Sequence, residues 1–501
     1  MAQHAVVIGG GFGGMAAALR LRRRGYDVTL IEKQKQLGGR AMVMKRDGFT
    51  FDMGPTVITA PFLFDELFEL FGKKREDYVK FVPLYPWYRV MFHDGAWFDY
   101  GGTIEQTLEQ IRKFEPADCD GYLKFLAHSK RIFEVGFVEL GDKPFDTILS
   151  MIRCAPQMIK LGAWRTVWQM AKKYIRNDKL RRVFSFQPLL VGGNPFNTTS
   201  IYSLIHFLER EYGVHYAMGG TGALVRALAQ LMEESGITVR LSTPVQHIGI
   251  GLRPNVADGV YVLDAGGPRP IPSDLVVSNA DAPFTHEELL RHASSRWSRL
   301  RARLDHLKYS MGLFVLYFGT TRQYPDVQHH TILLGEQYEK LLHEMFDLKK
   351  LEMSDFSVYL HRPTATDPSM APAGCDCFYA LVPVPNLQSN IDWKEMGPKY
   401  RDLVIDYLER KVLPGLKQCI TSVSYVTPLF YRDELNTLHG TGFSIQPTFG
   451  QSAYFRFHNK SADIENLYFV GAGTHPGAGM PGVLCSAKVL EHVLPPPPAS
   501  S

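Results

Sequence analysis

The stretch from Ala5 to Glu32 constrains the fold of this chain more than any other. Ala5-Val-Val-Ile8 is a short apolar run, the pattern of a buried parallel strand. It enters GGGFGG, in which Gly9, Gly11 and Gly14 satisfy G-x-G-x-x-G. A helical stretch follows, with Ala16, Leu19 and Leu21 apolar and arginines at 20, 22, 23 and 24, read as a solvated face. Gly25 ends it, Asp27 to Ile31 reads as a second strand, and Glu32 stands at that strand's end. Gly9 permits the tight turn, Gly11 lets backbone approach a pyrophosphate, and Gly14 lets helix pack on strand. The phosphates then meet free N–H groups at the helix N-terminus. Glu32, 18 residues after Gly14, is placed to accept ribose hydroxyls and disfavours NADP. The glycines alone would also fit a turn without a ligand. With strand, helix, second strand and acid in order around them, they point to a bound dinucleotide.

Two further glycine segments extend this site. Gly38-Gly39-Arg40 follows Glu32 and would bring backbone N–H groups and a fixed cation to the pyrophosphate. Phe51 to Thr56 contains Gly54, where backbone can approach a flat ring. Near the other end, Leu467-Tyr-Phe-Val470 reads as another strand of the same sheet, followed by GAGTHPGAGMPG. Gly477, Gly479 and Gly482 formally repeat G-x-G-x-x-G, but too little chain follows for a second βαβ unit. The nucleotide domain is therefore expected to be discontinuous.

Composition narrows the partners. The 501 residues are 45% hydrophobic and 21% charged, ordinary globular usage. A net charge of +4 is too small to argue for nucleic acid. Six cysteines, at 119, 154, 375, 377, 419 and 485, form no CxxC pair, and no histidine pair sits at metal-ligand spacing. A reducing compartment and no metal site are expected. The uncharged run from Ala5 to Leu19 has no basic segment before it and five glycines inside it, so it does not read as a signal peptide. No run of 18 ungapped apolar residues reads as a membrane span.

The sequence VVIGGGFGGMAAALRLRRRGYDVTLIEKQKQLGGR resembles the signature of flavin-dependent amine oxidases and carotenoid desaturases. GFTFDMGPTVIT (48–59), LLVGGNPF (189–196), SIYSLIHFLEREYGV (200–214), GGTGALVRAL (219–228) and VGAGTHPGAGMPGV (470–483) are most similar to the bacterial and fungal phytoene desaturases. The resemblance implies an α/β fold. A discontinuous Rossmann-type FAD-binding domain (1–75, 214–292 and 456–494) would join a mixed-sheet substrate domain (76–144 and 293–455). A helical lid or membrane-contacting region (145–213) and a disordered tail (495–501) complete the expected organisation. FAD would lie against Gly9, Gly11, Gly14, Glu32, Gly39, Arg40, Gly54, Thr56, Val245, Gly473 and Met480. The implied reaction is desaturation of a long polyene by hydride transfer to flavin N5. Such a substrate offers no polar group, so an apolar tunnel is expected. His475, in the flavin-facing loop, and Arg153 are candidates for acid–base work; His475 equally fits a hydrogen-bonded loop histidine. Some relatives carry an acid three residues before Arg153, where this chain has Ser150. Cys485 reads as a small core residue. A C30 precursor, a flavin-dependent carotene isomerase and a lipid escort without catalysis stand as alternatives. Oligomeric state is left open.

Elsewhere, Met311 to Phe318 and Phe356 to Leu360 read as strands, and the Gly/Pro segments 266–272 and 383–385 as loops. Arg153 to Arg182 holds nine Lys/Arg and one acid, Asp178, a local charge of +8. Ile152, Ile159, Ala163, Val167, Met170 and Tyr174 recur at helical spacing there, with Trp164 and Trp168 four apart. This predicts a basic amphipathic helix suited to a membrane surface, hence a cytoplasmic, peripherally attached protein.

Overall fold

The computed structural model describes residues 3–251, 253, 255–264, 267–291 and 303–496. The expected boundary at 292/293 and residues 497–501 of the tail lie outside these.

The opening motif builds the first layer. His4–Ile8 pairs in parallel with Asp27–Ile31 on one side and Leu275–Ser278 on the other. Thr238–Arg240 and Leu467–Phe469 complete a five-stranded parallel sheet whose strands come from both ends of the chain. Such strands are buried on both faces, which is why VVI, VTLI and LVVS are continuous apolar runs. The helix Phe12–Arg23 follows the first turn and is buried from Phe12 to Leu21 between this sheet and the helix Met480–Val493. The solvated arginine face is only partly present: Arg20 is buried, bonded to Glu66 at 2.8 Å and Glu491 at 2.6 Å, and Arg23 alone of the four is exposed.

The second layer is a seven-stranded mixed sheet, in the order Ile420–Val426, Gly312–Thr320, Asp376–Val384, Val358–His361, His330–Leu333, Tyr88–Met91, Trp97–Tyr100. Its neighbours are antiparallel except the pair 88–91/330–333. Period-2 alternation gives Gly312–Thr320 two apolar faces. Phe314, Leu316 and Phe318 pack with Trp393, Tyr400, Val404 and Leu408, the last four from the helix Trp393–Lys411. Leu313 and Val315 face the opposite side and wall a cavity.

Three expectations are corrected. Gly267–Pro272 is a strand, paired antiparallel with Ala257–Asp264, because its prolines alternate with residues free to pair. Pro383 and Val384 end the strand Asp376–Val384 rather than forming a turn. The long basic helix is two helices, Ile148–Lys160 and Val167–Tyr174. Thr166 caps the second helix, accepting from the Gln169 N–H while the Gln169 side chain accepts from the Thr166 N–H. That capping box starts a new helix where periodicity alone runs on. Trp164 falls in the connection, exposed, and Trp168 packs on Phe196.

Candidate active site

A single cavity of about 720 Å³ runs from the C-terminal edge of the parallel sheet to the face of the mixed sheet. Ligands of open parallel sheets bind at that edge.

Its first end is built from the glycine turns. Gly9, Gly11 and Gly13 line it, with Glu32, Gly38, Gly39 and Arg40 opposite. Glu32 is buried and fixed: Oε2 accepts from the Gly10 N–H at 2.7 Å and Oε1 from the Gln34 N–H at 2.8 Å. Burial still raises its pKa above the ordinary value, against those bonds. Arg40 reaches the cavity with Nε and Nη2 buried and without a hydrogen-bond partner. Unpaired guanidinium donors are costly to bury, and a pyrophosphate would satisfy them. Gly14 stands behind the wall; a Cβ on it would lie 2.0 Å from the Gly9 carbonyl oxygen, so only glycine lets this helix start so close to the strand. Gly54 is equally constrained, its Cβ position 1.8 Å from the Arg40 carbonyl oxygen. Gly482 meets the Gly477 carbonyl at 2.5 Å, so the second glycine match serves helix packing in the same sheet. Of the residues expected against the cofactor, Gly9, Gly11, Glu32, Gly39, Arg40, Gly54, Thr56, Val245 and Met480 line this one surface.

Besides Gly14, two expected residues fall outside the wall. Gly473 packs against Ala282 and Ser444 and does not line the cavity. Arg153 is exposed, while Met151, Cys154, Ala155 and Met158 of the same helix turn to the cavity. The helical period puts the guanidinium on the outer face. His475 does reach the wall, beside Phe145 at 5.0 Å between ring centroids. Neither of its ring nitrogens has a partner in strict hydrogen-bond geometry, and the Lys143 backbone lies close to the ring. Burial and the charge of Arg456 push its pKa down to about 3; the nearby Lys143 backbone opposes this. Cys485 lines the cavity, and burial pushes its thiol up to about 12, far from a thiolate.

The other end is apolar. Phe137, Leu140, Phe145, Met158, Phe186 and Leu189 are among its lining, with Leu313, Val315 and Leu381 of the mixed sheet. A polar seam crosses it. Thr56 Oγ1 is 2.8 Å from Tyr379 Oη and 3.2 Å from Tyr359 Oη, and Tyr359 meets His330 Nδ1 at 2.7 Å. His329, His330 and His361 gather behind, buried, their ligand-capable atoms within 4.8 Å of one another. The sequence spacing did not suggest this cluster. The spread is wider than the roughly 3.3 Å between nitrogens sharing a tetrahedral zinc; His330 Nδ1 is engaged by Tyr359, while Nε2 of all three rings is buried without a hydrogen-bond partner.

Several wall residues escaped the sequence reading. Asn279 donates through Nδ2 to the Gly9 carbonyl at 3.2 Å and abuts Gly13; Asp281 lies near Arg40. Their position just after the apolar strand LVVS is a signal, because that edge receives ligands. Glu209, Tyr359 and Tyr379 have no comparable local signal.

Comparison with known proteins agrees with this geometry. The model of the flavin containing amine oxidoreductases matches residues 12–488. A lycopene-forming phytoene desaturase of Pseudescherichia vulneris is 46% identical, over 98% of each chain. One from Pantoea ananas is 45% identical, over 97% of this chain and 98% of the other. The chain belongs to the phytoene desaturases, within the flavin containing amine oxidoreductases. An oxidoreductase structure from Methanosarcina mazei covers 98% of this chain and 100% of its own, with a TM-score of 0.64 at 16% identity, a likeness of fold. The unpaired Arg40 nitrogens, the fixed Glu32 carboxylate and the Gly54 cradle fit a flavin.

Proposed function

We propose that this protein is an FAD-dependent desaturase that converts phytoene towards lycopene. The observation that carries this is the continuity of the cavity: one wall holds the dinucleotide features and the same space extends into apolar surface. Bound FAD supplies the hydride acceptor. The chain's own residues do the rest. Arg40 and the glycine-turn N–H groups hold the pyrophosphate, Glu32 the ribose, and Gly54 and Thr56 the flavin ring. The apolar wall aligns a substrate carbon with that ring and excludes water, so that positioning rather than polar recognition selects the bond.

The helix Ile148–Lys160 supports delivery of this substrate from a membrane surface. One of its faces lines the cavity, Ile159 included; bordering that face Ile148, Leu149, Ile152 and Ile159 are exposed, Ile159 at 66%. Trp164 (64% exposed) and Phe449 continue this patch in the cavity wall; Arg153 and Lys160 of the same helix are exposed, as are Lys172 and Lys173 of the next helix and Arg176 after it. Exposed apolar groups with basic neighbours suit an anionic bilayer. Among the described residues no helix is long and apolar enough to cross a membrane. The exposed patch supports peripheral attachment to a membrane surface. Replacing Lys172, Lys173 and Arg176 with Glu is expected to weaken binding to anionic liposomes; undiminished binding counts against attachment through this face.

Expression in a host that accumulates phytoene, followed by pigment analysis, tests the activity. Lycopene or a partly desaturated intermediate is expected. Unchanged phytoene beside folded, flavin-loaded protein would overturn it, and conversion of a C30 precursor alone would move the assignment to that substrate.

A further inference from the structure

We propose that Glu209 takes the proton that desaturation removes from the substrate. This rests on the desaturase function above. Leu204, Ile205, Leu208 and Glu209 form one face of the helix Leu204–Tyr212, and all four line the cavity. Three are hydrocarbon and the fourth is a fully buried carboxyl group. Its Oε1 accepts from the Tyr88 hydroxyl at 2.8 Å, while Oε2 is buried with no hydrogen-bond partner. A buried carboxyl oxygen left unpaired costs stability; Gln187, Tyr100 and Arg210 lie close enough to favour the carboxylate, yet none of them bonds Oε2 in hydrogen-bond geometry.

The other acids in the wall, Glu32, Asp281 and Glu434, all lie by the nucleotide turns: Glu32 is held by Gly10 and Gln34, Asp281 accepts from the Leu438 N–H, and Glu434 bonds Gln34. Glu209 instead adjoins the apolar wall and the polar seam. The Tyr88 ring lies 5.8 Å from that of His330, whose Nδ1 meets Tyr359, which meets Thr56. Thr56 belongs to the segment expected at the flavin-ring position, so a continuous series of side-chain contacts links Glu209 to that position.

The step balances without another reactant. One substrate carbon loses a hydride, with its electron pair, to the flavin that serves as oxidant. On the adjacent carbon the C–H bond breaks, its proton forms an O–H bond on Glu209 Oε2, and its electron pair becomes the new C=C bond. The proton passes to water after the product leaves.

Electrostatics agree. Burial pushes the Glu209 pKa up to about 8, outweighing Tyr88, Gln187, Arg210 and Tyr100, which favour the carboxylate. The groups facing it are Tyr88, Tyr100 and Gln187, with Arg210 and the neutral His206 on its own helix and Tyr122 beyond. Arg210 is the sole cation among them. A carboxylate so destabilised is a strong proton acceptor once ionised, and its reaction should quicken as pH rises through about 8.

Flavin-loaded wild type, Glu209→Gln and Glu209→Asp would be assayed with phytoene in liposomes across pH 6–9. Glu209→Gln should lower kcat by at least about 100-fold and leave KM within a few-fold. Glu209→Asp should restore part of the rate and keep the alkaline rise that Glu209→Gln loses. An infrared titration of the wild-type protein without substrate should show a buried carboxylic acid band that disappears near pH 8, and Glu209→Gln should lack it. A kcat for Glu209→Gln within a few-fold of wild type overturns the assignment. So does a wild-type protein with no such titrating band, a measurement that needs no variant to fold. Wild type inert on phytoene would bring down the function itself; an active wild type with an unaffected variant brings down Glu209 alone.

Discussion

At the nucleotide end of the cavity backbone does the recognising, and at the hydrocarbon end side chains do. Gly9, Gly11, Gly13, Gly38 and Gly39 present main chain to the first end, and Glu32 is fixed there by main-chain N–H groups. The second end is walled by side chains from elements far apart in sequence, among them Phe137, Leu189, Leu313 and Leu381. Backbone recognition tolerates almost no added atom, because the contact is between main chains. Side-chain walls share their volume among many groups, so one change is partly absorbed. The two ends should therefore fail differently.

The largest effect is expected at Gly14. Gly14→Val would drive a Cβ toward the Gly9 carbonyl oxygen, 2.0 Å away, and part the helix Phe12–Arg23 from the strand His4–Ile8. Flavin content measured by visible absorbance should fall to background and thermal stability should drop with it. A Gly14→Val protein that purifies with its flavin would break the proposed contrast.

A milder and more selective effect is expected at Leu381, which sits mid-strand in Asp376–Val384 and faces the cavity. Leu381→Trp adds bulk to a wall that a polyene must pass. Turnover of phytoene should fall about tenfold, an overpacking cost of roughly 1–3 kcal/mol, while flavin content stays at the wild-type level. Loss of flavin together with turnover would mean that the two ends are not separable.

The same contrast explains what could be read from the sequence. Gly9, Gly11, Glu32, Gly39, Arg40 and Gly54 were legible because their spacing within a few dozen residues is itself the geometry of the turn. Leu467–Phe469 was legible as a strand of the same sheet because its apolar run precedes another glycine turn. Glu209, Tyr359 and Tyr379 were not, because the polar seam exists only after three distant segments are paired. His330 and His361 become cross-strand partners by register, thirty-one residues apart, which no local spacing announces. Arg153 was misplaced for a related reason: family position gave the helix, but the helical phase decides which side chains enter the cavity. The long amphipathic helix failed at Thr166, where a local cap overrides a periodicity that continues past it.

The smallest predicted effect separates the two ends by pH. At the hydrocarbon side of the flavin loop His475 has its pKa lowered from 6.5 to about 3 by burial. Its folded value lies below its unfolded one, so the unfolded chain binds the proton first and stability is lost as pH falls below about 6.5. Asp52, at the end of the strand preceding Gly54, is pushed up from 3.8 to about 7, again by burial. There the folded chain binds the proton first, and stability is lost as pH rises from about 4 through 7. His475→Phe should therefore flatten the acid limb of a stability–pH curve by up to about 2 kcal/mol at pH 5, leaving the rest of that limb to His206, His286, His329, His330 and His361, which burial shifts the same way. Asp52→Asn should remove part of the opposing loss between about pH 4 and 7, the rest remaining with Glu209, and so steepen the rise in stability from pH 5 to pH 6.5 that His475→Phe flattens. Thermal melts from pH 5 to pH 8 check both, and parallel curves for the two variants would show that these buried groups do not set the pH dependence of this fold.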